Sequence, residues 1–399
     1  MMIFNRLTVV WLSAAFLGVA AAASSPPAVA RTIVVRSGDS IQDAVDRANP
    51  GDTILVKAGV YTEMPEDGRD AVVVIDKNDI TIKGSTRAVI DATGFRFGIV
   101  VGEFPDDDKD CLNVAADRRI KKFQITGLTI KNAGRTGLLL LAVDDYRLTH
   151  SIYLDNDEYG PFPICSTNGV IAHNFAAGHN DAAIYVGDDD GVEVAHNVVR
   201  TSAIGIEIEN SANANVHHNW LTDNTVGVLV VVLPGLPVPF AEDVQITHNW
   251  IVNNNFPNPV EGDDVVGLIP TGSGILNVGG DRVLIEKNFI AGNDSFGIML
   301  FGNPFALFDD RIEPFVDGNV VRKNVVINNG NSPDPERALT PGADIVFVPD
   351  LFDPESGEPI LNPETNEPFS DPDPFDNCFA KNQFGSDFPP GIVDLFPCP

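Results

Sequence analysis

Between residues 80 and 330 the chain alternates apolar and polar side chains in bursts of three to five residues, separated by corners rich in Asn and Gly. One unit recurs: apolar-x-apolar-x-(His or Lys)-Asn-apolar-apolar, then Gly-apolar-x-apolar eight or nine residues later. Clear copies end in His173-Asn174, His196-Asn197, His218-Asn219, His248-Asn249, Lys287-Asn288 and Lys323-Asn324. Weaker ones stand at Ile82-Lys83-Gly84-Ser85, Ile125-Thr126-Gly127-Leu128 and Leu148-Thr149-His150-Ser151. From Ser151 the corner returns after 23, 23, 22, 30, 39 and 36 residues, so the basal period is near 22 and the longer gaps carry insertions. Alternation of period two excludes helical repeats, and the leucine skeleton of leucine-rich repeats is absent. Three short strands per repeat is the economical solution, with coils stacked about 4.8 Å apart. The corner Asn is expected to point inward and bond its counterparts above and below, satisfying turn backbone that the core would otherwise strand.

An open stack exposes apolar ends and raw strand edges, so both ends need covers. Residues 37–48 read as a short amphipathic helix with Asp39 or Ser40 at its N-cap, ended by Asn49-Pro50-Gly51 and followed by Thr53-Ile54-Leu55-Val56 as the first coil. At the other end, residues 331–399 hold 14 of the 29 prolines, 14 acids and two bases, a composition expected to form an irregular cap without regular coils. The start, with Asn5-Arg6, an apolar run from Leu7 to Ala23 and Ala28-Val29-Ala30, reads as a cleavable signal peptide. The predicted division is therefore 1–30 signal peptide, 31–330 β-helix and 331–399 Pro-rich acidic cap. The mature chain is expected to be secreted or periplasmic, with no membrane span.

Charge and cysteine narrow the partners. A formal charge of -30 repels nucleic acid and anionic headgroups, and repels a polyuronate unless a cation or a basic strip intervenes. In an oxidising compartment Cys111, Cys165, Cys378 and Cys398 suggest two disulfides in one of three connectivities. Cys378 with Cys398 is the expected pair in the short proline-rich tail.

These features resemble the right-handed parallel β-helix superfamily that includes pectate lyases, polygalacturonases and alginate epimerases. The resemblance implies an all-β, right-handed single-stranded parallel β-helix with an N-terminal capping helix and an irregular C-terminal segment. More narrowly, Tyr159-Gly160-Pro161, residues 180–187, residues 205–210 and Leu233-Pro234-Gly235-Leu236-Pro237 resemble a bacterial family of exported β-helix repeat proteins. The Asp-Pro-His-Asp signature of alginate epimerases is absent, and Gly178-His179-Asn180 is the nearest approach to the Gly-His-Gly of polygalacturonases.

Three constellations could carry chemistry. On the Gly-apolar-x-apolar strand, Ile184, Ile206, Val228, Ile275 and Ile298 turn inward by alternation. Tyr185, Glu207, Leu229, Leu276 and Met299 turn outward beside a column of Gly187, Glu209, Val231 and Phe301. Asp181, Tyr185, Glu207 and Glu209 are the catalytic candidates, since paired carboxylates beside apolar neighbours suit glycoside chemistry. The alternative is two solvated glutamates. The apolar remainder of this face needs a cover, expected from residues 233–240, 256–271 or the tail.

The second constellation is the repeat slot itself. His150, His173, His196, His218 and His248 share it, and His173, His196 and His218 could supply imidazole to a transition metal across neighbouring coils. The alternative is a solvated stack retained by repeat geometry. Third, Asp188-Asp189-Asp190, with Asp181 before them, and Asp106-Asp107-Asp108 form oxygen-rich turns that suit Ca²⁺, or are plain solvated corners. The expected function is an exported protein that binds an extended polysaccharide, and processes it as a lyase, epimerase or hydrolase if catalytic. The rival is a non-catalytic envelope interaction protein, or a metal-linked accessory protein of the kind that serves copper-enzyme maturation.

Overall fold

The computed structural model describes residues 30–63, 68–103, 114–262, 265–351, 359–361, 368, 370 and 374–399. Nearly all of the expected signal peptide, Cys111 and the Asp106-Asp107-Asp108 turn lie outside the described residues. Short strands wind into a right-handed parallel β-helix whose three faces are sheets of 14, 11 and 11 strands. Each coil contributes one strand to each sheet, as in Asn215–His217, Trp220–Thr222 and Val226–Val231. The inward positions form columns in register, and Ile184, Ile206, Val228, Ile275 and Ile298 are wholly buried in the third sheet.

The corner Asn behaves as expected. From Asn174 through Asn197, Asn219, Asn249, Asn288 and Asn324 to Asn382, each Nδ2 donates to the next Oδ1 at 3.0 to 3.1 Å. Each of those Oδ1 atoms also accepts the backbone N–H of the preceding Asn, and each inward Nδ2 reaches a strand carbonyl of the coil before. A second ladder, Asn224, Asn254, Asn293 and Asn329, ends on Asp344 near the start of the strand Ala343–Val348. The residue before each Asn of the first ladder is left-handed, with φ of 55° to 59° from His173 to Lys381, and His150, before Ser151, shares the conformation at 53°. His, like Asn and Asp, is enriched there among non-glycine residues, which gives the histidine slot a backbone cause independent of any ligand.

Both ends differ in detail from expectation. The helix Ile41–Arg47 is capped by Ser40, whose Oγ accepts from Asp43 N at 3.0 Å. Gln42 exchanges two hydrogen bonds with the Val74 backbone and so occupies the open edge of Ala71–Ile75 as a further strand would. The first sheet begins earlier than Thr53–Val56, because Thr32–Val35 already pairs with it in parallel. Nor do coils stop at residue 330. Ala343–Val348 joins the third sheet, and Cys378–Ala380, Gln383–Phe384 and Asp387–Phe388 make one more turn. Proline and acid are concentrated in the tail's intervening segments, which leaves these short strands free to pair. Cys378 and Cys398 are bonded as expected, and Ile392 and Phe396 close the core there. Cys165 is also disulfide-bonded.

Truncating Asn249 to Ala should strand the Asn219 N–H groups and remove a donor from the Val216 carbonyl, at about 1–3 kcal/mol for a buried orphaned group. Urea denaturation should show a loss of about 3 kcal/mol or more for Asn249→Ala and clearly less for the part-exposed Asn382→Ala. Equal, small losses would refute the ladder's role.

Candidate functional site

The five slot histidines stack along the helix axis. Ring centroids are 4.9, 4.9, 5.1 and 5.1 Å apart from His150 to His248, with interplanar angles of 2° to 26°. Parallel imidazoles send their in-plane lone pairs side by side, so stacking alone does not converge them on one ion. A metal–imidazole bond of about 2.0–2.1 Å needs convergence. His173, proposed from sequence as a ligand, belongs to this stack and not to a cluster.

Convergence comes from His217, which lies outside the slot as the last residue of the strand Asn215–His217. Its ring stands at 84° to His196 and 87° to His218. His217 Nδ1 lies 2.9 Å from His218 Nδ1, while its Nε2 meets Glu193 Oε1 at 3.1 Å. One nitrogen from each of His196, His217 and His218 falls within 4.8 Å of the others. No other group of three such donors gathers among the described residues. Burial, followed by the neighbouring His217, His248 and His196, lowers the pKa of His218, which favours the neutral, ligating ring. The adjacent His217-His218 pair was the available sequence signal, and the repeat alignment passed over it because His217 is not a slot residue.

The carboxylate face is placed differently from expectation. Tyr185, Glu207 and Leu229 are in register and point away from the bore, as alternation requires. They do not face water: Tyr185 and Glu207 are each 4% exposed and Glu209 is 8% exposed. A second apolar layer lies over this sheet, built with Leu233, Val260, Val266, Ile269, Ala338 and Leu339, so both insertions and the tail contribute. Tyr185 lies flat on Phe162 at 4.0 Å and donates to Glu209 Oε1 at 2.9 Å. It does so across Gly187, where an added Cβ would sit 2.2 Å from the Tyr185 hydroxyl. Burial first, then the Asp181 and Glu209 charges, pushes Glu207 well above the usual carboxylate range. Burial likewise brings Glu209 to about 8. Asp181, half-buried, stands at the edge of this group. Neither the solvated reading nor an open catalytic groove holds for Glu207 and Glu209.

The acidic turn also disperses. Asp188 accepts from Val238 N, Asp189 is buried and accepts from the Tyr146 hydroxyl at 2.7 Å, and exposed Asp190 accepts from Asn213 Nδ2. Three carboxylates with three separate partners do not form the oxygen cage that Ca²⁺ needs, which corrects that expectation.

Fold and site together define a right-handed parallel β-helix protein with a convergent imidazole cluster on one exposed corner. The chain belongs to the family described as periplasmic copper-binding protein (NosD), which it matches over residues 45–268, more than half its length. Its fold is similar to the A-module of mannuronan C-5 epimerase AlgE4 of Azotobacter vinelandii, at 15% identity and a TM-score of 0.53, covering 86% of this chain and 88% of that one. It is also similar to the tailspike protein of E. coli bacteriophage HK620, solved with a pentasaccharide, at 12% identity and a TM-score of 0.54, covering 78% and 56%. These likenesses show the fold. No curated protein matches the chain. No helix among the described residues is long and apolar enough to cross a membrane.

Buried carboxyls set a pH dependence. Burial raises Asp188 to about 6, Asp189 and Asp281 to about 7 and Glu209 to about 8. At these groups the folded chain therefore holds more protons than the unfolded one, and the stability they contribute, full below about pH 4, is lost as pH rises to the range 6 to 8. His179, lowered to about 4 by burial, opposes them as a single group and only below the ordinary histidine range. Acids held low, such as Asp91 and Glu286 at about 2, contribute fully by pH 5 and do not offset this fall. Melting temperature should drop from pH 5 to pH 8, and Asp189→Asn should flatten part of the drop; a rising curve would count against the assignment. Gly187→Ala should displace Tyr185 and lower stability by about 1–3 kcal/mol in the same assay.

Proposed function

We propose that this chain is an exported, metal-linked accessory protein that binds a transition-metal ion, copper in keeping with its family's description, through His196, His217 and His218. In this reading residues 1–30 are a cleaved export signal and the protein works in the periplasm or outside the cell. The observation that carries the proposal is His217, turned nearly perpendicular to the stack with Nδ1 2.9 Å from His218 Nδ1. The donor set fits: three imidazoles are accessible or half-buried at the protein surface, and imidazole suits copper and zinc. Glu193 would hold His217 in the orientation that aims Nδ1 at the cluster, as carboxylates do behind metal-bound histidines. Bound there, the ion would supply a charged, exchangeable centre that a partner protein or substrate could reach. The chain's own contribution is a rigid corner that fixes two of the three rings by backbone register.

Calorimetric titration with copper should give one tight site. His217→Ala should weaken it by about tenfold or more, while His150→Ala, three coils' worth of stack away from His218, should leave it unchanged. Binding that ignores His217 would remove the site.

A second reading, an extended polysaccharide held and processed near Asp181, Tyr185, Glu207 and Glu209, is favoured by Glu207, whose carboxyl burial pushes well above the usual range, beside the Tyr185–Glu209 hydrogen bond. It requires the covering layer to open. A glycan array with an unsaturated-uronate and reducing-end assay tests it: any activity found should vanish in Glu207→Gln, and no binding or cleavage of any glycan would exclude it.

A further inference from the structure

The donors at the corner point to the charge of the ion they take. The cluster offers three imidazoles, with a carboxylate bonded behind one of them. Soft sulfur is missing from it. No described cysteine is free, since Cys165, Cys378 and Cys398 are in disulfides. Met299, the one methionine among the described residues, packs in the apolar layer over the third sheet. His196 and His218 are exposed, so further coordination positions open to water. The surrounding molecule carries a formal charge of -30, which favours the more highly charged of two ions at the same site.

Resting on the metal-binding reading above, we infer that the site selects copper in its divalent, oxidised state over cuprous ion. Cuprous ion prefers thiolate and thioether donors, whereas imidazole nitrogen completed by water oxygen suits Cu(II) and, less tightly, Zn(II). A three-imidazole set with open positions is the pattern of exchangeable centres, while structural sites close all four positions with protein ligands. The assignment is therefore an oxidised ion held for exchange and not a buried reduced one held for storage. Glu193 acts as a positioning residue, since it touches His217 and not the ion.

The sequence supplies its own reporters. Trp220 and Trp250, both about half exposed, each follow a slot histidine by two residues, and the third Trp is Trp11 in the expected signal peptide. The purified protein is titrated separately with Cu(II) and Zn(II), and with Cu(I) in a bicinchoninate buffer under argon. Fluorescence and competition give the affinities, and electron paramagnetic resonance reads the donors of bound Cu(II). Cu(II) should bind at least roughly tenfold more tightly than Cu(I), quench Trp fluorescence and show equatorial nitrogen coupling. Glu193→Gln should weaken Cu(II) by about tenfold while leaving the circular dichroism spectrum unchanged. Equal or tighter binding of Cu(I) would overturn the divalent assignment and leave the site standing. Failure of all three ions to bind would overturn the site as well.

Discussion

From Asn174 to Asn324 each corner between the first and second sheets turns on one buried carboxamide. An Asn side chain there accepts from the backbone of the preceding coil, donates to a strand carbonyl and donates again to the next Asn. Buried polar groups without such partners are costly, so along this stretch a side chain of that size and valence satisfies the turn backbone coil after coil, a task Ser151 takes over one coil earlier. The constraint propagates outward. For Asn to point in, the residue before it must adopt a left-handed backbone, and its side chain must point out. Repetition of that geometry stacks whatever occupies the slot, and five times in succession the occupant is histidine. The basic column is thus first a consequence of the corner. Its chemistry begins where the repeat is broken by His217, a histidine of the neighbouring strand position that Ala195 and Thr247 fill in the adjacent coils.

The same stack treats its two chemical regions in opposite ways. The histidine corner lies beside exposed Trp220 and Trp250 and has no covering insertion. The third sheet carries its carboxyls outward but under a second hydrophobic layer, where Leu229, Leu276 and Met299 continue the column that begins with Tyr185 and Glu207. A carboxyl in such surroundings stays protonated unless a cation is supplied, and among the described groups Glu207 meets other acids and not bases. The low exposure of this face and the open exposure of the corner make the corner the part of the molecule best placed to exchange an ion with solvent or a partner.

Much of this was legible in the chain alone. Period, alternation and the recurrent Asn dictate a parallel β-helix, and alternation correctly sorts Ile206 inward from Glu207 outward. The helix cap and the Cys378–Cys398 bond follow from local composition. What sequence could not deliver depends on segments that obey no repeat. Whether the outward column that runs on from Glu207 through Leu229 and Leu276 meets water depends on residues such as Val266, Ile269 and Leu339, which stand far along the chain in irregular loops. The coil formed by Cys378–Ala380 and Gln383–Phe384 was hidden by the prolines around it, because short strands that pair with an existing edge need little propensity of their own. The slot alignment selected His173 for its position, whereas ligand geometry depends on ring orientation, which periodicity does not encode.

The account's central claim is that one off-register histidine converts a structural stack into a metal centre. Anomalous diffraction at the copper edge, from crystals of the intact protein grown with one equivalent of Cu(II), measures this directly. The account predicts a single strong peak among the ring nitrogens of His196, His217 and His218. A peak on the carboxylates around Asp188 or Glu207, or one between His150 and His173 where the rings only stack, would contradict it.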